Sequence, residues 1–276
     1  MSITRDASGR RSVAATVEVP GTPEEVWRAI ATGPGITSWF VPTMVEEQVG
    51  GEVVASFGPG MDSHATITAW DPPHRFAAES RDDMGPDDPT IATEWTVTAR
   101  DGGQCTVRVV HSWVTESDRW DDRFIEHTHG WRAVFRVLRL YLAHFAGQQG
   151  RMMQVMAIAA EPKASAWESF TRQLGISGAS VGDRVTTAPG APVLAGTVVW
   201  SGQPGDPQEL LIRLEAPAPG IAVIIAHPMG EQVFLTTRCF FYGDNAAEVV
   251  SREAVVWQAW LRERFSLAGD ACATSD

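Results

Sequence analysis

Hydrophobic and polar positions alternate along "RSVAATVEV" (11–19), where Val13, Ala15, Val17 and Val19 fall in step as on a strand with one buried face. The period then changes. In "TPEEVWRAI" (22–30) Thr22 can accept from the amide of Glu25 while Glu25 reaches back, with Pro23 in the first turn, which predicts a capped helix. Alternation returns in "IATEWTVTA", "QCTVRVVHSW", "ELLIRLE", "IAVIIAH" and "QVFLTTRCFFY", each predicted as a strand. Two stretches switch to steps of three and four. One carries His127, Trp131, Phe135, Leu138, Leu142 and Phe145 on one face, with Arg132, Arg136 and Arg139 on the other. The second carries Val249, Val256, Trp257, Trp260 and Leu261. Both predict long amphipathic helices that bury a stripe.

The two halves repeat one plan. "TVEVPGTPEEVWRAIATGPGI" aligns with "MAIAAEPKASAWESFTRQLGI", so that Trp27 meets Trp167 and Ile36 meets Ile176, both 140 positions apart. "VGGEVVASFGPGMDSHATITAWDPP" aligns with "VGDRVTTAPGAPVLAGTVVWSGQP", setting Val49 against Val181 and Trp70 against Trp200. The second copy lacks the counterpart of "TSWFVPTMVEEQ". Each copy therefore reads as strand, short helices, antiparallel strands and one long helix. This is an α+β arrangement in which a curved sheet around a helix can enclose an apolar cavity.

The segments "VEVPGTPEEVWRAIATGPGITSWF", "GGEVVASF", "ATITAWDPPHRFAAES", "TEWTV" and "HTHGW" with its apolar helix resemble the SRPBCC (START/birch-pollen-allergen-like, helix-grip) superfamily. Within it they are similar to the branch named after the activator of the heat-shock-protein ATPase. The resemblance covers residues 12–147 in order; residues 152–265 resemble the fold as a shorter, degenerate copy. The expected architecture is tandem helix-grip domains over those two ranges, joined near "AGQQGRM" as an intramolecular pseudo-dimer, with 1–11 and 266–276 as flexible tails. The resemblance implies a cavity for a small or lipid-like molecule. It does not fix the chemistry, because the superfamily includes binders, carriers, polyketide aromatases and cyclases, and a co-chaperone.

Composition narrows the partners. A formal charge of −12 without a Lys/Arg stripe, and with Lys163 the lone lysine, argues against nucleic acid and anionic membrane surfaces. No apolar run reaches the roughly 18 residues of a membrane helix, and "MSITRDASGRR" has no signal-like apolar region, so a cytoplasmic protein is expected. Cys105, Cys239 and Cys272 lie far apart without a CxxC, giving neither a disulfide framework nor a zinc site. The acidic loop 81–89 lacks calcium-loop spacing, and no cofactor or metal is expected.

The candidate cavity lining is Trp39, Phe40, Phe57, Trp70, Phe76, Trp95, His111, Trp113, His127, Trp131 and Phe135. Trp39 and Phe40 follow "GPGITS" and can form a lid or a core under a loop. His111 shares a strand face with Cys105, Val107, Val109 and Trp113, and Glu94 and Asp62 are the carboxylates the sequence offers it as partners. By helical phase His127 points to the sheet and His129 to solvent. Either His111 or His127 can serve as acid/base or as a structural hydrogen-bonding group.

No nucleophile, metal set or carboxylate pair stands out, so the expected function is binding of an apolar small molecule in the first copy. A cyclase-, aromatase- or hydrolase-type enzyme using a cavity histidine is the alternative, and a co-chaperone-like interaction role a further one. The working cavity, of roughly 300 Å³ or more, is expected between residues 39 and 135, with the second copy filled by bulky side chains.

Overall fold

The computed structural model describes residues 3–6, 9–58, 60–80, 90–113, 121–202, 208–229 and 232–267, without the side chains of 121–129, Met229 and Leu267. The chain divides into two compact units, residues 1–149 and 150–276. In the first unit the order is β1 (Thr4–Arg5), β2 (Arg11–Pro20), α1 (Pro23–Ala31), α2 (Gly33–Thr37), β3 (Thr43–Val45), β4 (Glu52–Ser56), β5 (Asp62–Asp71), β6 (Arg75–Ser80), β7 (Ile91–Arg100), β8 (Gln104–Trp113) and α3 (Asp121–His144). Its eight strands form one antiparallel sheet in the order β1-β2-β8-β7-β6-β5-β4-β3.

The second unit follows with β9 (Arg151–Ala159), α4 (Lys163–Leu174), β10 (Arg184–Thr186), β11 (Ala195–Ser201), β12 (Gln208–Ala216), β13 (Gly220–Met229), β14 (Gln232–Phe241), α5 (Ala246–Arg262) and β15 (Ser266–Leu267). Its antiparallel sheet runs β10-β11-β12-β13-β14-β9-β15. The two sheets repeat one topology. In each, the first long strand pairs with the last one before the C-terminal helix, and a two-residue strand closes its free edge. That short edge partner comes from the N-terminus in the first unit and from beyond the last helix in the second. Both are α+β helix-grip units in tandem.

Local chemistry explains the helices. Thr22 Oγ1 accepts from Glu25 N at 3.3 Å and Glu25 Oε2 accepts from Thr22 N at 2.8 Å, completing the capping box. α4 has no side-chain cap but ends on Gly175, whose φ of 75° suits a left-handed residue and returns amides to Thr171 and Arg172. In α3 Phe135, Leu138 and Leu142 are buried, as is Phe145 just after it, while Arg132 and Arg139 face solvent. In α5 the buried stripe is Val249, Glu253, Trp257, Trp260 and Leu261. Val256 is 43% exposed, against expectation. It directly precedes Trp257, and adjacent helical residues lie about 100° apart, so both cannot face the sheet.

A β-bulge decides what one tryptophan does. Along β5, Ile67 pairs with Ala78 and Ala69 with Ala77, leaving Thr68 as the extra residue. The bulge shifts the alternation so that Ile67 and Trp70, three apart, both face the helices. In β11, Val198 pairs with Ile212 but Trp200 pairs with Leu211, the neighbour on the opposite face. Val198 and Ile212 belong to the second unit's core and Trp200 does not. The aligned Trp70 and Trp200 therefore stand on opposite faces of their sheets, because the two bulges fall at slightly different positions.

Candidate functional site

Register builds one aromatic face. Ala15, Val109, Trp95, Phe76 and Trp70 follow one another across five strands, and Val13, His111, Thr93 and Ala78 make the adjacent row. α1 lays Trp27 on this surface, with ring centroids 5.0 Å from Trp70 and 5.8 Å from Phe76. α3 brings Trp131 to 5.0 Å from Trp95 and Phe135 to 6.0 Å from the same ring. Phe40, just after α2, lies 5.5 Å from Trp131 and 5.8 Å from Phe57. Edge-to-face and tilted ring contacts of this kind stabilise by about 0.5–1.5 kcal/mol each beyond area burial.

The wall has a deep end and an open end. Trp27, Phe76, Trp95 and Phe135 are buried, whereas Phe40, Trp70 and Trp131 are half-buried and Phe57 is 45% exposed. Met61, the residue before β5, is also exposed, its carbonyl accepting from Phe57 N at 3.0 Å, whereas the exposed Met44 of β3 pairs with Val54 on the opposite face of the sheet. Phe57 and Met61 make this end of the wall apolar.

One polar group is set into the wall. His111 is 5% exposed. Its Nε2 receives the Trp131 indole N–H at 2.6 Å, and its Nδ1 lies 2.9 Å from Thr93 Oγ1. An indole nitrogen only donates, so Nε2 carries a lone pair and the ring proton sits on Nδ1, donated to Thr93. The partners are an indole and a hydroxyl. Of the carboxylates expected, Glu94 instead pairs with Arg75 at 2.6 Å, and Asp62 is exposed. The physical reason is alternation: Glu94 is the neighbour of Thr93 and points to the other side of the sheet.

Trp39 and Phe40 part company. Trp39 is 2% exposed and its Nε1 donates to Ala29 O at 2.8 Å, supplying a partner for a carbonyl in the last turn of α1. It is a core residue that closes the helix end; Phe40 alone reaches Trp131. Trp113 also stands apart from the ring contacts described, packed with Val13 and Ile91 at the end of β8. Trp113 borders a cleft of about 310 Å³ with Arg10, Glu79, Thr90, Ala92 and Ser112. Glu79, Ala92 and Ser112 lie on the face opposite His111. Arg10 donates to Ser112 Oγ there at 2.6 Å.

The side chains of His127 and His129, the acidic loop 81–89 and residues 114–120 lie outside the described residues. Trp27 is a site residue that the sequence offered only as a repeat marker; its place on the buried face of α1 was the available signal. Among the described residues no group of three or more His, Cys, Asp or Glu is placed to hold a metal ion, and no helix is long and apolar enough to cross a membrane.

Residues 20–143 match the family described as Activator of Hsp90 ATPase homolog 1-like protein. No curated protein matches the chain. Among solved structures, DynU16 from the dynemicin biosynthetic locus is 17% identical over 95% of this chain and 98% of its own, with a TM-score of 0.42. The di-domain ARO/CYC BexL from the BE-7585A biosynthetic pathway is 15% identical over 92% of each chain, with a TM-score of 0.43. CalU16 from Micromonospora echinospora is 17% identical over 51% of this chain and 83% of its own, with a TM-score of 0.41. The strand order, the aromatic face crossed by a C-terminal helix and the match over residues 20–143 give the first unit a helix-grip fold of the Hsp90-ATPase-activator-like type, and the second unit repeats its strand order.

Proposed function

We propose that the first unit binds an apolar small molecule between α3 and its sheet, entering beside Phe40, Phe57 and Trp131. The observation that carries this is the graded exposure of one connected set of rings: Trp95 and Phe135 are buried and Phe57 is 45% exposed. Aromatic surface that runs from solvent into a domain interior, with a few hydrogen-bonding groups set in it, is the composition of a small-molecule site. The biosynthetic-locus proteins of similar fold agree with a small-molecule role, and a cyclase-type activity would draw on the same surface. A histidine held as its Nδ1–H tautomer, with Nε2 as an acceptor now bonded to the Trp131 indole, favours that second reading.

The test is titration of the whole chain with N-phenyl-1-naphthylamine, an uncharged fluorescent probe. A saturable rise in emission, weakened in Phe40→Ala and Trp131→Ala, is expected. Emission unchanged by both substitutions would place any binding elsewhere and refute the assignment.

A further inference from the structure

We infer that Trp131 is a gate on a hydrogen-bond acceptor, and that the site selects apolar ligands bearing a hydroxyl donor, phenols above all. This rests on the binding assignment above and adds the ligand's chemistry. His111 is fixed as an acceptor toward the ring-lined side: Thr93 takes the Nδ1 proton at 2.9 Å, which leaves the Nε2 lone pair facing Trp131. Val13 and Thr93 flank His111 in the sheet, so its ring opens toward α3. The group now on that lone pair is the indole N–H at 2.6 Å, with the two rings stacked at 5.8 Å and an interplanar angle of 23°.

Trp131 is half-buried while Trp95 and Phe135, which it touches, are at most 8% exposed. It can therefore swing outward with less loss of packing than Trp95 or Phe135, the two rings behind it. Gly130 precedes it in mid-helix, where a Cβ would meet nothing within 4 Å. Space is therefore not the reason for glycine there, and glycine loosens the turn that carries the indole. A ligand that displaces the indole must satisfy Nε2, because a buried acceptor left bare is destabilising. An ether or a hydrocarbon cannot do so, whereas a phenol O–H can.

Three probes built on one ring system separate the terms: naphthalene, 1-methoxynaphthalene and 1-naphthol, titrated into the full chain by calorimetry. The wild type should bind 1-naphthol about five- to tenfold tighter than 1-methoxynaphthalene, the ratio one buried hydrogen bond supports. Trp131→Phe keeps a ring and removes the competing N–H, so affinity for 1-naphthol should rise with little change for 1-methoxynaphthalene. His111→Phe should bring the two probes level. Thr93→Val, which frees the tautomer, should lower the ratio without abolishing uptake of naphthalene. Equal affinities for 1-naphthol and 1-methoxynaphthalene in both the wild type and Trp131→Phe would overturn the gate while leaving apolar binding intact. Failure of all three probes to bind the wild type would overturn the binding assignment and the gate with it. The wild-type ratio and the Trp131→Phe comparison decide the matter even if the His111 variant does not fold.

Discussion

Cys239 holds in the second sheet the register position that His111 holds in the first. His111 pairs with Val13 and Cys239 with Met153, and Val13 and Met153 are related by the same 140-residue offset as Trp27 and Trp167. The exchange removes the acceptor. Trp131 finds an imidazole nitrogen, whereas the Nε1 of Trp257, buried on α5, meets no acceptor among the described residues. The polar anchor therefore belongs to the first unit, while the second keeps the fold and packs its interior with Phe170, Trp257, Trp260 and Leu261.

The replacement cysteine should be chemically quiet. Burial, then the Glu253 carboxylate, pushes the Cys239 thiol far above its ordinary range, and burial, then Glu24 and Glu25, raises Cys105. The thiolate is the reactive form, so both should resist iodoacetamide at pH 8 in the native protein and react in urea. Peptide mapping by mass spectrometry reads the two sites separately. Rapid native labelling at Cys239 would contradict its burial.

Much of this was legible in the alternation of side chains. The strands, the capping box at Thr22, the stripe from Phe135 to Phe145 and the two-copy plan all follow from local period and capping chemistry. Three features depended on longer-range geometry. The bulge at Thr68 changes which face Trp70 occupies, and a shifted counterpart sends Trp200 the other way; alternation alone sees the same Trp in both repeats. The partner of His111 comes from a helix 20 residues later, which only tertiary packing specifies. The separation of Trp39 from Phe40 turns on a bond to Ala29 O that links the residue after α2 to the end of α1.

That separation is testable. Trp39→Phe removes the donor to Ala29 O and should lower stability by about 1–3 kcal/mol, read from the urea midpoint, with affinity for an apolar probe nearly unchanged. Phe40→Ala should do the reverse, because its half-buried ring contributes contact to the open end of the wall more than to the core. Equal losses of stability in both would mean that Phe40 is also a core residue.

A pH effect is expected in the second unit. His227 stacks on Phe234 with centroids 5.8 Å apart, and burial, then the charges of Arg238 and Lys163, depresses its pKa below the ordinary 6.5. The folded chain thus resists a proton that the unfolded chain accepts. Above 6.5 both forms are neutral and the residue contributes no pH dependence. As pH falls from 6.5 toward the depressed native value, stability should decline, and it should level off below that value. His227→Asn should flatten this decline in urea midpoints measured across the same window. An identical slope in the variant would assign the pH dependence to other groups.

The two inward helix tryptophans should separate binding from stability. Trp131 is half-buried, touches Phe40, Trp95 and Phe135, and faces the open end of the ring wall. Trp257 is fully buried in a core that also holds Trp260 and Leu261. Truncating a fully buried Trp costs about 3–5 kcal/mol through lost transfer energy and the space left behind, so Trp257→Ala should mainly lower the urea midpoint. Trp131→Ala should cost less stability but remove a wall of the site, and uptake of N-phenyl-1-naphthylamine should fall. The comparison is made at a denaturant-free temperature where both variants remain folded by circular dichroism. Probe binding lost only in the Trp257 variant would reverse the roles of the two units, because the exposed ring system of the first unit would then contribute nothing to capture.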